Sequence, residues 1–270
     1  MWKRLVLLAA MLASVSAGAA TQRVEGLEFD AVVVYGSVEV EISQGDENLL
    51  IMRGPQSELD KTPFFVDGNG PTLFLGRSES DRHQDFRKVK FKLTVTDIGH
   101  VALKGSGEVY VRPLQVDELY VGMEGSGDIK LFEVKAEALL LRLAGSGDIQ
   151  AAEVEAPQIK VNASGSGDIH VGTLEAQDTE ASVNGSGDVS VQGGGQSQTL
   201  QINIVGSGDV DFRELDTVDA EINIMGSGDA KVGRVEDMDI SIMGSGDVRY
   251  RGEPRINKSI LGSGNVEPFE

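Results

Sequence analysis

From residue 105 onward apolar and polar residues alternate, and Gly-Ser-Gly interrupts the alternation at regular intervals. The tripeptide begins at 105, 125, 145, 165, 185, 206, 226, 244 and 262, in steps of 20, 20, 20, 20, 21, 20, 18 and 18. Counted from its first glycine, positions +4 and +6 are mostly apolar, as in Val109/Val111, Ile129/Leu131, Ile169/Val171 and Val210/Phe212. Position +9 is often apolar too (Leu114, Val134, Val154, Leu174, Leu215, Val235). Counting backwards, positions −6, −4 and −2 read Leu139/Leu141/Leu143, Ile159/Val161/Ala163, Leu200/Ile202/Ile204 and Ala220/Ile222/Ile224, with Lys160, Asn162, Glu221 and Asn223 between them. A period of two places the apolar residues on one buried face of a strand. Each unit therefore predicts two short strands, and Gly-Ser-Gly is the tight turn between them, its glycines reaching backbone angles closed to other residues.

Twenty residues are too few for a four-stranded propeller blade, which takes about forty. The Asn and helix pattern of leucine-rich repeats and the six-residue period of hexapeptide helices are both absent. A parallel β-helix fits: all-β, about 20 residues per coil, equivalent residues stacked about 4.8 Å apart. The closing 18-residue steps and Pro268 predict a tapering C-terminal end where pairing stops. Residues 20–104 lack Gly-Ser-Gly but keep strand signals at 31–34, 38–42 and 89–95, with a turn cluster at 67–71. They read as irregular first coils and an N-terminal cap, continuous with the repeat region 105–270; a separate domain is the alternative. The charged run Ser78 to Lys88 predicts a solvated loop.

Lys3 and Arg4, an apolar run from Leu5 to Val15, and Ala17-Gly18-Ala19 predict a signal peptide over residues 1–19. That apolar run is too short for a permanent membrane helix, and no later stretch is longer. The expected product is exported, periplasmic or on the surface of a bacterium. Acidic residues outnumber basic ones 43 to 24, a formal charge of −19, which argues against nucleic acid and bare anionic lipid as partners. Without cysteine there is no disulfide, thiolate metal site or thiol nucleophile.

Two further stretches carry a resemblance. Phe29-Asp30-Ala31, followed by Gly36-Ser37-Val38-Glu39-Val40-Glu41-Ile42-Ser43-Gln44-Gly45-Asp46, resembles the opening of the head GIN domain of auto-transporter adhesins, and the repeated Gly-Ser-Gly-Asp turns resemble its second half. The likeness covers nearly the whole chain after the signal peptide. It implies a single-stranded, right-handed parallel β-helix of two packed sheets, similar to the pectin-lyase architecture without its catalytic residues, and a role in adhesion. The family has no established catalytic residues, so none are carried over. The implied partner is a surface or envelope ligand, protein or glycan.

Candidate chemistry is sparse. Seven turns continue with aspartate: Asp128, Asp148, Asp168, Asp188, Asp209, Asp229 and Asp247. Stacked about 5 Å apart, like charges repel by roughly 3 kcal/mol per neighbouring pair at an effective dielectric near 20, so something must offset them. The preferred reading is that each carboxylate accepts N–H groups within its own turn; the alternative is a ladder of weak divalent-cation sites, such as Ca2+. No cofactor is otherwise expected. His83, His100 and His170 lack metal-ligand spacing. The Ser/Asn column at −3 predicts hydrogen bonds stacked along the sheet, and no outward column is aromatic enough to stack sugars. Gly193-Gly194-Gly195 reads as a tolerated bulge. The expectation is a non-enzymatic binding or adhesion module. Its rivals are a polysaccharide-active enzyme with its site in the irregular N-terminal half, and a structural envelope protein forming homo-oligomers through exposed coil ends.

Overall fold

The computed structural model describes residues 11–16, 19–67, 70–79 and 85–269. Strands that close on the first glycine of a turn, here called A strands, include Glu118–Gly125, Ala138–Gly145, Gln158–Gly165 and Asp178–Gly185. They pair in parallel, in one continuous register: Val121 opposes Leu141, Leu141 opposes Val161, and Val161 opposes Ala181. Strands that follow the turn, the B strands, include Asp128–Lys135 and Asp148–Glu155 and form a second parallel set. The array is a β-solenoid of stacked coils, as the periodicity predicts.

Position +9 adds a third straight run that a two-strand unit does not contain. In the coil after Gly105 it stands alone as Leu114–Gln115, paired with Val134 and Lys135. In the following coils it continues the B strand past a break in the ladder at residues 132 and 152. From residue 195 it joins the next A strand instead, giving the 12-residue strands Gly195–Gly206 and Leu215–Gly226. The apolar +9 side chains turn a further corner inward, and Leu114, Val134, Val154 and Leu174 are all buried.

The inner columns make one uninterrupted core along the axis, with Leu141, Ile202, Ile222, Ile129 and Ile149 fully covered. Truncating one such leucine to alanine removes contacts in its own coil and both neighbours, a loss of about 2–5 kcal/mol. Pairing does not stop at the C-terminal taper. Arg255–Gly262 pairs along its length with Asp237–Gly244, and Val266–Pro268 pairs with Val248, Arg249 and Tyr250.

The N-terminal region is wound out of chain order. Ala31–Gly36 and Glu39–Gln44 form a coil whose turn, Gly36-Ser37-Val38, stacks on Gly105-Ser106-Gly107. The other side of that coil is covered by later residues: Thr72–Leu75 runs beside Ala31–Val34, and Lys90–Val95 beside Glu39–Gln44. The outermost layer is antiparallel, with Phe64–Asp67 against Thr72–Leu75, Leu49–Gly54 against Lys90–Val95, and Ala19–Glu25 against Leu49–Gly54. A single helical turn, Gln56–Leu59, buries Leu59 there. The segment 78–88 is not simply a solvated loop. Residues 80–84 lie outside the described residues, but Ser78 is 4% exposed and Phe86 only 1%, because Phe86 is the one large apolar side chain of the run and enters the core. Of the expected signal peptide, residues 1–10, 17 and 18 lie outside the described residues, while Met11–Ser16 forms a strand antiparallel to Ala19–Glu25. Among those described, no helix is long and apolar enough to cross a membrane.

Candidate functional site

The turn edge shows why the repeat needs its glycines. Each turn serine donates its backbone N–H to the first-glycine carbonyl of the coil before: Ser126 to Gly105 at 3.0 Å, Ser146 to Gly125 at 2.9 Å, Ser227 to Gly206 at 2.9 Å. This brings backbone directly onto backbone. A Cβ on Gly147 would sit 1.9 Å from the Gly127 carbonyl oxygen, which no side chain tolerates.

The seven aspartates form one column, Asp128 opposite Asp148 at its start. Their carboxylates bond between coils rather than within the turn. Oδ1 of Asp148 accepts the Asp168 N–H at 3.2 Å, and Asp168, Asp188 and Asp209 accept those of Asp188, Asp209 and Asp229 at 2.8 Å each. Asp229 accepts from Asp247 at 2.9 Å and Asp247 from Asn265 at 2.8 Å. The coil spacing decides this, since a carboxylate standing off one turn lies within bonding reach of the next turn's amide. Each N–H dipole lowers the repulsion along the column. Asp128 begins it differently: the Asp148 N–H goes to the Gly127 carbonyl at 3.2 Å. Among the described residues no three His, Asp or Glu side chains converge on a point that could hold a metal ion.

The remaining sequence candidates sit in regular positions. His170 Nδ1 and Ser190 Oγ are 2.8 Å apart, a polar pair on adjacent coils of the B face. His100 stacks on Tyr120 with ring centroids 4.4 Å apart; burial, then the Lys104 charge, push its pKa down against the pull of Asp30. His83 lies outside the described residues. In the −3 column, Asn223 Nδ2 donates to Asn203 Oδ1 at 3.2 Å. Gly195 pairs with Leu174 and comes so close that its Cβ would meet the Leu174 carbonyl at 1.8 Å, so the glycine triplet absorbs the one 21-residue step.

Aromatic residues do gather on the outer A face, although no single column shows it. Phe65 stacks on Phe74 at 4.7 Å, Tyr35 on Phe74 at 5.9 Å, and the Arg77 guanidinium covers Tyr35 at 3.7 Å. These rings turn their faces to each other and to Arg77, so they brace neighbouring coils instead of offering a flat platform to a sugar.

One surface feature has no internal partner to explain it. Position −1, just before the turn, is polar or small through much of the array, as at Lys104, Glu124, Ala144, Ser164 and Asn184. It then becomes Val205, Met225, Met243 and Leu261, opposed rung by rung. Their exposures are 47%, 54%, 52% and 69%, so they form a continuous apolar ridge about 14 Å long on the outside of four successive coils. Small polar residues flank it: Asn203, Asn223, Ser241 and Ser259 at −3, and the turn serines on the other side. A periodicity search for inward positions passes over this column, but tabulating position −1 by itself reveals it.

A parallel β-solenoid with a hydrogen-bonded acidic edge and an exposed apolar ridge belongs to the class of stacked-coil repeat proteins. The family described as "Putative auto-transporter adhesin, head GIN domain" matches residues 28–193 and 151–254, and the chain belongs to that family. Solved structures share the fold. A "putative lipid binding protein" from Parabacteroides distasonis is 24% identical with a TM-score of 0.70, over 94% of this chain and 98% of that one. A "putative adhesin" from Parabacteroides merdae is 18% identical with a TM-score of 0.68, over 94% and 97%. A second "putative adhesin" from Parabacteroides distasonis is 20% identical with a TM-score of 0.66, over 93% and 97%. No curated protein matches the sequence.

Proposed function

We propose that this chain is an exported, non-enzymatic adhesion module of the bacterial envelope that grips a protein surface through the ridge Val205–Met225–Met243–Leu261. The observation that carries the reading is the ridge: large apolar side chains, half exposed, in one line on consecutive coils. Such patches on soluble proteins mark contact sites, and methionine adapts its shape to different partners. The family's description as adhesins supports the role.

Charge and ring geometry narrow the partner. A formal charge of −19, with the aspartate column beside the turn, disfavours anionic lipid and acidic polymers. Tyr35, Phe65, Phe74, His100 and Tyr120 stack on one another, and Arg112 and Lys130 lie over the rings of Phe132 and Tyr110, which leaves few ring faces for a sugar. An uncharged or basic protein surface with its own apolar strip meets both conditions.

The test uses beads coated with the purified chain and incubated with intact bacterial and epithelial cells. Met225→Asp with Met243→Asp is expected to reduce attachment at least tenfold, and protease treatment of the cells to do the same while glycosidase leaves it intact. Attachment by the ridge variant at the native level refutes the reading, as does sensitivity to glycosidase alone. Because one solved structure of this fold is named a putative lipid binding protein, phosphatidylcholine vesicles are the third arm. Ridge-dependent capture of vesicles in place of cells replaces the protein partner with lipid.

A further inference from the structure

We propose that the coil formed by residues 255–268 carries a built-in block against end-to-end association, and that Lys258 is its central element. Position −4 is the middle of the buried face of every A strand: Leu141, Val161, Ala181, Ile202, Ile222 and Ile240 are each 4% exposed or less. Lys258 is the next residue of that column, paired with Ile240, and it is exposed. Its strand neighbours in the same inward set, Ile256 and Ile260, keep the apolar pattern. A charge therefore stands where the pattern calls for an aliphatic side chain, in the middle of an eight-residue strand, Arg255–Gly262, whose outer edge pairs with nothing described.

Such an edge is a template for another strand. The opposite end presents a different edge: Thr72–Leu75 and Lys90–Val95 are each paired on both sides, and the strands laid over them, four-residue Phe64–Asp67 and Leu49–Gly54, run antiparallel to the coils and out of their parallel register, with Ala19–Glu25 antiparallel in turn to Leu49–Gly54. The association that matches the length and register of Arg255–Gly262 best is C-terminal coil against C-terminal coil, the two copies related by a two-fold axis and their edge strands antiparallel. Side chains alternate between faces, so only registers that align inward residues with inward residues bury the two isoleucines. The register centred on the strand sets Ile256 opposite Ile260 and Lys258 opposite the same lysine of the second copy. Two ammonium groups then face each other inside an apolar layer, the least tolerable cross-strand pair. Pro268 adds to the block on the B side. It occupies position +6, where Phe212 and Val232 are buried, and has no N–H to give to a further strand.

The experiment is sedimentation velocity of the full chain across a wide concentration range, native against Lys258→Ile and Lys258→Arg. The native chain and Lys258→Arg are expected to keep the mass of one chain, while Lys258→Ile at least doubles its mass as concentration rises. A Lys258→Ile chain that stays at one-chain mass overturns the proposal, and so does a native chain that already associates through this edge. Circular dichroism checks that each variant keeps its strand content. If Lys258→Ile does not fold, Lys258→Met, which keeps the length and loses the charge, decides by the same criterion.

Discussion

Replacing Gly145 with alanine tests whether backbone contact at the turn column holds the coils together. Gly145 has φ +148, and a Cβ there would lie 2.0 Å from the Gly125 carbonyl oxygen and 3.0 Å from its carbon and nitrogen. All three are backbone atoms, so no side chain can swing aside, and the coil must lift off its neighbour. Lifting breaks the 2.9 Å bond from the Ser146 N–H to that same oxygen. A positive φ strains alanine by about 1–2 kcal/mol. A buried polar group left unpaired adds about 1–3 kcal/mol, and displaced packing about 1–3 kcal/mol more. The expected loss is about 3–8 kcal/mol, which at roughly 2–4 °C per kcal/mol lowers the melting temperature by about 6–32 °C. The control is Gly99→Ala, whose Cβ meets nothing nearer than the Glu118 carbonyl at 3.8 Å; it should stay within about 0.5 kcal/mol of the native chain. Both are read as thermal melts of strand circular dichroism. A Gly145→Ala melt within about 2 °C of native refutes the argument, as does a Gly99→Ala melt that falls equally far.

Asp188→Ala removes the acceptor of the Asp209 N–H and should melt several degrees lower, a loss of about 1 kcal/mol. Asp188→Asn keeps an acceptor oxygen and should melt close to native, so equal losses in both variants would show that charge and not the bond matters. Acid titration checks a different contact. Burial pushes the Asp211 carboxyl up, but bonds from the Arg213 side chain and backbone N–H, with the Arg213 and Lys231 charges, hold it below the usual carboxylate range. A carboxylate lowered in the folded state contributes stability above about pH 4 and loses it as pH falls through the folded value. Arg213→Ala should therefore melt below native at pH 7, with the gap closing in acid as pH falls through the lowered folded value; a gap independent of pH contradicts the pairing.

The repeat region was legible because its signal is geometric. Residues at −4 such as Leu141 and Ile222 must alternate with polar neighbours to face one core, and the turn glycines recur because backbone meets backbone there. Gly36-Ser37-Val38 belongs to the same turn column but escapes a search for Gly-Ser-Gly, since Val38 takes the place of the second glycine and is itself buried. For the aspartates, local turn chemistry points to the residue's own amides, and only stacking brings the next coil's amide closer. The ridge leaves no repeat-wide signal, because position −1 is polar at Glu124, Ser164 and Asn184 and becomes apolar only from Val205 onward. Phe86 is hidden among charged neighbours, yet a single large ring suffices to draw its segment inward. The stacking order of the first coils is written in no local pattern, because strand pairing across long separations leaves no periodicity.

That order has a kinetic consequence. Beyond residue 105 each coil finds its partner about 20 residues away, so growth from an existing coil closes only short loops. The coil 31–44 has no such neighbour when it is made. One of its flanks waits for residues 72–95, and the other for residues 100–111, with Ser37 and Ser106 meeting across 69 positions of chain. A chain delivered from its N-terminus must therefore hold Val32, Val34, Val40 and Ile42 without full cover until residue 111 has emerged. The slow step of folding falls in this knot of distant pairings, and the repeats downstream zip onto it afterwards. During that interval the most aggregation-prone stretch of the molecule is the first one made.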